Sequence, residues 1–157
     1  MAAAATAPLS AALKTGHVGL NVSDLDRSVD FYQEVFGFEV LQKSTAEGRK
    51  FVFLGIDGNL IVTLWQQSEG CFSKNLPGLH HLAFLVDDIE QVREAQRRVQ
   101  TLGGTLHHGG IVPHAEGAQS GGIFFEDPDG IRLEVYALFG AEEGEAPTED
   151  GPTCGFF

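Results

Sequence analysis

The sequence predicts an α+β fold built from two tandem βαβββ modules. Three observations carry that prediction. First, two stretches open alike: HVGLNVSDLDRSVDFY from His17 and HLAFLVDDIEQVREA from His81. Aligned on the histidines, Val22 meets Val86, Asp24 meets Asp88, Leu25 meets Ile89 and Asp26 meets Glu90. Internal repetition of this kind fixes the architecture before any single residue is interpreted. Second, each repeat runs from an apolar strand through an acidic turn into a helix pattern. Third, each is followed by three short strand patterns separated by turn chemistry.

Each element follows from local pattern. Residues 17–22 read as a strand. Ser23 and Asp24 offer cap chemistry, and residues 25–36 form an amphipathic helix with Leu25, Val29, Tyr32, Val35 and Phe36 toward the core. Gly37 is placed to cap its C-terminus. Residues 38–43, 50–56 and 60–66 read as strands, and Asp57-Gly58 between the last two is a strong hairpin signal. In the second module the strand spans residues 81–86 and the helix 89–102, ended by Gly103-Gly104. Three strands follow, at residues 105–107, 122–126 and 131–136, the last two joined by the turn Asp127-Pro128-Asp129-Gly130. Residues 108–121 are Gly-rich and read as a long loop beside the active site. The organisation expected is therefore a flexible N-terminal tail (1–14), a first module (15–68), a linker (69–78), a second module (79–139) and an acidic flexible C-terminal tail (140–157).

Composition narrows the functional classes. The net charge is -12, and part of it is local, with Glu142, Glu143, Glu145, Glu149 and Asp150 in a segment that holds no Lys or Arg. Such a balance argues against a nucleic-acid partner, whose phosphates demand clustered cations. No apolar run approaches the ~18–20 residues of a membrane span. The Ala-rich opening lacks the early basic region and strongly apolar stretch of a signal peptide. Cys71 and Cys154 form no CxxC pair, which fits a reduced, cytoplasmic setting.

Strand parity puts His17, Gly19 and Asn21 on one face, and likewise His81, Ala83 and Leu85. Glu134 points opposite to Leu133 and Val135. A carboxylate in the middle of RLEVY is costly to bury unless a partner compensates its charge. Two histidines and one carboxylate on converging strands would make a facial triad that leaves positions of a divalent ion open. The neighbouring His80 competes with His81, but parity and the repeat favour His81. His107, His108 and His114 lie in or beside the Gly-rich segment, with His114 the one to watch.

At these residues the chain resembles the vicinal oxygen chelate superfamily, which includes glyoxalase I, extradiol dioxygenases, fosfomycin-resistance thiol transferases and bleomycin-resistance proteins. The matching motifs are HVGLNVSDLDRSVDFYQEVFGFEV, GLHHLAFLVDDIEQV and FFEDPDGIRLEVY, which together run from about residue 15 to 139. The resemblance implies that the curled, mixed sheets of the two modules enclose a cup, and that this cup binds a divalent metal (Fe2+, Mn2+, Ni2+ or Zn2+) through His17, His81 and Glu134. It implies a metal-dependent lyase, isomerase or dioxygenase acting on a small oxygen-bearing substrate, and a homodimer, in some members with the site shared between chains. A fourth ligand position falls at Thr63, where glyoxalase I carries a Glu. The stretch GGIFFED offers Phe124 and Phe125 where extradiol dioxygenases carry a Tyr. His114 and Thr63 are the catalytic candidates, and Asn21, Trp65, Phe51, Phe53, Phe124 and Phe125 the candidate substrate-pocket residues. The alternative is a non-catalytic protein of the bleomycin-resistance type that sequesters an antibiotic or an aromatic metabolite.

Overall fold

The computed structural model describes residues 10, 12–149 and 151–155. The first module comprises β1 (Val18–Asn21), α1 (Leu25–Phe36), β2 (Glu39–Ser44), β3 (Phe51–Ile56) and β4 (Asn59–Trp65). The second comprises β5 (Leu82–Leu85), α2 (Ile89–Thr101), β6 (Leu106–Pro113), β7 (Gly121–Glu126) and β8 (Arg132–Ala137). Each module closes its own four-stranded sheet, in the orders β1-β4-β3-β2 and β5-β8-β7-β6. The first strand of each pairs in parallel with the last, and the other pairings are antiparallel. Two mixed sheets of identical topology are what the repeat predicts. Among the described residues no helix is long and apolar enough to cross a membrane.

The repeated acidic turns act as helix caps. Asp24 accepts a hydrogen bond from the Arg27 N–H, and Asp88 from the Gln91 N–H. Both satisfy donors that a helix start would otherwise leave orphaned. Between β3 and β4, Asp57 and Gly58 both have positive φ, at 50° and 75°, as a type I′ hairpin turn requires. The helices pack their apolar stripes onto one face of each sheet and touch each other, with Arg98 donating to the Val35 carbonyl across the seam. One continuous core results. Val52, Leu54, Val62 and Leu64 from the first sheet join Ile123, Phe125, Leu133 and Val135 from the second, all essentially inaccessible. Phe36 of α1 lies 4.6 Å from the ring of Phe84 in β5, tying the modules together.

The structure differs from the sequence-based expectation in two places. Residues 108–121 are not a single long loop, because β6 runs on to Pro113 past an irregularity between His107 and Val112. His108, Gly109 and Gly110 adopt positive φ there, which throws the chain out of register and lets it rejoin β7. Residues 140–149 and 151–155, expected as part of a flexible tail, instead pack back on the second module. Ala141 and Thr153 are buried, and the Ala141 N–H donates to the Gln119 carbonyl.

The turn after β7 does more than reverse the chain. The Tyr32 hydroxyl of α1 donates to Asp127 at 3.0 Å, while Asp127 also accepts from the Asp129 and Ile131 N–H groups. Asp129 in turn accepts from the Ser23 N–H, the Ser23 hydroxyl and the Arg27 guanidinium. The first module thus clasps the turn of the second. Burial pushes the Asp127 carboxyl up to about 6, against the lowering effect of its hydrogen bonds. A raised carboxyl favours the folded state while protonated. Its contribution is therefore full below pH 3.8 and is lost as pH rises through about 6. At ~1.4 kcal/mol per unit the span is on the order of 3 kcal/mol. Asp127→Asn is expected to flatten stability against pH over this window, as read by urea denaturation at a series of pH values.

Candidate metal centre

Alternation along β8 sends Leu133 and Val135 into the core and turns Glu134 to the opposite, outward face. There Glu134 is only 3% exposed, and it meets two imidazoles. Its Oε1 lies 2.7 Å from His114 Nε2, and its Oε2 lies 3.3 Å from His81 Nε2. Chain topology explains the meeting. β5 lies parallel to β8 with Ala83 opposite Glu134, so His81, two residues earlier on the same face, reaches the carboxylate. His114 follows directly on β6, and its N–H donates to the Ser120 carbonyl as the chain turns toward β7.

Each imidazole is held on its far side. His81 Nδ1 lies 2.8 Å from His80 Nδ1, and His114 Nδ1 lies 2.9 Å from the Ser120 hydroxyl. Such partners fix ring orientation and leave Nε2 as the working atom. Burial lowers the His81 pKa, His80 adds to the lowering, and the opposing pull of Glu134 does not overcome it. His81 is thereby kept in the neutral form that a metal ligand needs.

This donor chemistry suits a divalent cation. A buried carboxylate is costly to keep ionised, and imidazole nitrogen with carboxylate oxygen is a ligand set for first-row divalent metals. The ligands are nonetheless incomplete within one chain. Among the described residues no three His, Cys, Asp or Glu side chains form a group able to hold an ion. His17, expected as the third ligand, is exposed and stands just before β1 in the other sheet. Sequence equivalence put it at the matching point of a matching module, and that is a different sheet. The expected triad is therefore not gathered within the single chain.

The other candidate residues divide between the two sheets. Strand register confirms that Thr63 is the structural counterpart of Glu134, since Gly19 opposes Thr63 as Ala83 opposes Glu134. Its hydroxyl is 3.0 Å from the indole N–H of Trp65 and accepts from it. Thr63 is thus a satisfied, buried group rather than an open ligand. Phe51, Phe53 and Trp65 form a half-buried aromatic cluster on the outward face of the first sheet, with ring centroids 5.0–6.0 Å apart. Asn21 sits at the rim of that face and accepts from the Gln67 N–H. Phe124 lies opposite Glu134 on the same outward face and contacts His114. Phe125 was expected in the pocket as well. It points the other way, into the core beside Phe31 and Phe36, because adjacent strand residues face opposite sides. Sequence reasoning gave no role to Ser120 and treated His80 only as a rival of His81. The His80-His81 doublet was visible, but the contact between the rings depends on how the linker enters β5.

The fold of paired βαβββ modules is also seen in solved structures. A glyoxylase/bleomycin resistance protein/dioxygenase domain from Frankia shares the fold with a TM-score of 0.68 at 24% identity, over 80% of this chain and 98% of that one. The fosfomycin resistance protein FosX from Listeria monocytogenes, complexed with Mn(II) and a dihydroxypropylphosphonic acid, aligns with a TM-score of 0.62 at 26% identity, over 82% of this chain and 93% of that one. Residues 14–135 match the family model of the Glyoxalase/Bleomycin resistance protein/Dioxygenase superfamily, and the chain belongs to that superfamily. Among characterised relatives, a lactoylglutathione lyase of Haemophilus influenzae is 35% identical over 127 residues, covering 75% of this chain and 87% of that protein. A catechol-2,3-dioxygenase of Bacillus subtilis is 29% identical over 125 residues, or 78% of this chain, which spans only 40% of that longer protein.

Proposed function

We propose that this chain is a metal-dependent enzyme of the glyoxalase/dioxygenase type, acting on a small organic substrate with neighbouring oxygens. The observation that carries the proposal is Glu134, buried on an outward sheet face and bonded by two oriented imidazoles. His81 and Glu134 would hold the ion, and His17 of a second copy would complete the set. The two outward faces support that arrangement. The first sheet carries the aromatic cluster on its outward face, the face that strand parity gives His17, and the second presents His81, Glu134 and Leu85, the last 55% exposed. Stacking the first sheet of one copy against the second sheet of another would join the halves and bury both apolar surfaces.

When bound, a divalent ion supplies Lewis-acid polarisation of substrate oxygens. The chain's own residues do the rest. His80 and Ser120 orient His81 and His114, and the aromatic cluster excludes water from one wall. His114 is the group placed to hold or move a proton at Nε2, and its Nδ1 contact with Ser120 keeps that atom directed at the site. The Phe51–Phe53–Trp65 cluster also favours a second reading, in which the cup sequesters an aromatic compound without turnover.

Mixing two defective variants tests the shared site. His17→Ala and Glu134→Ala chains, each alone, are expected to bind no Mn2+. After unfolding and refolding together, mixed dimers carry one intact site and should recover binding of about one ion per mixed dimer. A site contained within one chain would show no recovery.

A further inference from the structure

The segment after Phe139 contains no long apolar stretch, yet near its end it holds a fully buried residue. Thr153 has no accessible surface, its N–H donates to the His114 carbonyl at 2.8 Å, and its hydroxyl donates to the Pro113 carbonyl at 2.7 Å. Those two carbonyls belong to the stretch that delivers His114 to Glu134. Earlier in the segment Ala141 is buried, with its Cβ beside Gly121, and the Ala146 N–H donates to the Glu116 carboxylate. The returning chain is therefore fastened at three points along the β6–β7 hairpin. The next residue, Cys154, packs on Val112 and Phe124, two residues that otherwise stand apart from the main core.

The repeat supplies an internal control. Phe53 opposes Thr63 in the first sheet as Phe124 opposes Glu134 in the second. Phe53 remains partly exposed, whereas Phe124 is wholly buried. The first sheet has no returning segment packed on its outward face among the described residues, and the second does. The thiol also feels the site: burial first, and then the Glu134 charge, push its pKa up.

We propose that Thr153 latches the C-terminal segment over the Glu134 face, so that Cys154 forms a wall of the substrate cup and Thr153 is a positioning residue for His114. The cup meaning rests on the function proposed above, but the latch does not. A wall of thiol and phenyl groups beside the carboxylate would select, on that side of the cup, a narrow and weakly polar part of the substrate.

Thiol chemistry tests the latch without metal or substrate. In Cys71→Ser protein the rate of reaction of Cys154 with 2,2′-dithiodipyridine, a neutral disulfide, would be compared with that of exposed Cys71 in Cys154→Ser protein. Cys154 is expected to react at least about tenfold more slowly. Thr153→Val removes the hydrogen bond to Pro113 and should raise the rate by about tenfold, the size of change one lost buried hydrogen bond supports. Thr153→Ser keeps the hydroxyl and should retain slow labelling. Equal rates for Cys154 and Cys71 in the otherwise unaltered chain would overturn the latch, even if the valine variant failed to fold. Because His114 bonds the proposed ligand Glu134, its positioning is read by Mn2+ affinity, expected to weaken in Thr153→Val and to recover in Thr153→Ser. Affinity unchanged by valine would overturn that role. If the wild-type chain bound no Mn2+, the proposed function would fail, while the labelling rates would still decide the latch.

Discussion

Glu134→Ala is expected to abolish the stabilisation that Mn2+ confers on the wild-type chain. An ion that binds only the folded state adds about 2.7 kcal/mol at one hundred times its Kd. For a domain of this size that is a rise in Tm of roughly 5–10 °C. Removing the carboxylate takes away the single charged group among the proposed ligands. Loss of outer partners alone costs about 10–100-fold in metal affinity, so loss of this ligand should cost at least about 100-fold. Without metal two effects oppose each other, since Ala removes the desolvation cost of a buried carboxylate but also the bonds that His81 and His114 make to it, so each chain is compared with its own metal-free Tm. Differential scanning fluorimetry with and without Mn2+ separates these effects. A variant that lost stability without metal yet kept its Mn2+ response would show that Glu134 is structural.

The second large effect is expected at Gly122. A Cβ there would lie 2.2 Å from the Val135 carbonyl oxygen and 2.8 Å from the Tyr136 Cα. These are backbone atoms of the neighbouring strand, so no side-chain rotation relieves the clash. Gly122→Ala must part β7 from β8, the strand that carries Glu134. Destabilisation of about 4 kcal/mol or more is expected, at the extreme end for a single substitution. Tm should fall by about 10 °C or more, with metal response lost as well. Gly16→Ala is the control, since nothing lies within 4 Å of its added Cβ, and its effect should stay within about 0.5 kcal/mol.

Local chemistry made the fold legible. Asp24 and Asp88 stand where caps are needed, Asp57-Gly58 takes the turn its composition demands, and apolar periodicity marks both helices. What could not be read depends on contacts distant in sequence. Tyr32 and Asp127 are 95 residues apart, and nothing near either residue announces the clasp between modules. β6 continues beyond a Gly-Gly step that ordinarily signals a loop, because the chain rejoins β7 at Val112. The C-terminal return rests on two carbonyls meeting Thr153, and composition alone carries no trace of them.

The site was legible in part for the same reason. Parity along β8 and β5 suffices to put Glu134 and His81 on one face. The approach of His114 required knowing where β6 ends, so the sequence left it only as a residue beside a loop. The equivalence of His17 and His81 was correct as topology. Proximity does not follow from it, because each module closes its own sheet and the two histidines stand at strands of different sheets.

The most direct test of the account is the metal content of the chain purified without chelator, measured by elemental analysis beside His81→Ala. About one equivalent of iron, manganese, nickel or zinc per chain is expected, lost in the variant. Absence of metal from the wild-type chain, with none taken up on titration with these ions, would contradict it and leave the sequestering protein as the better reading.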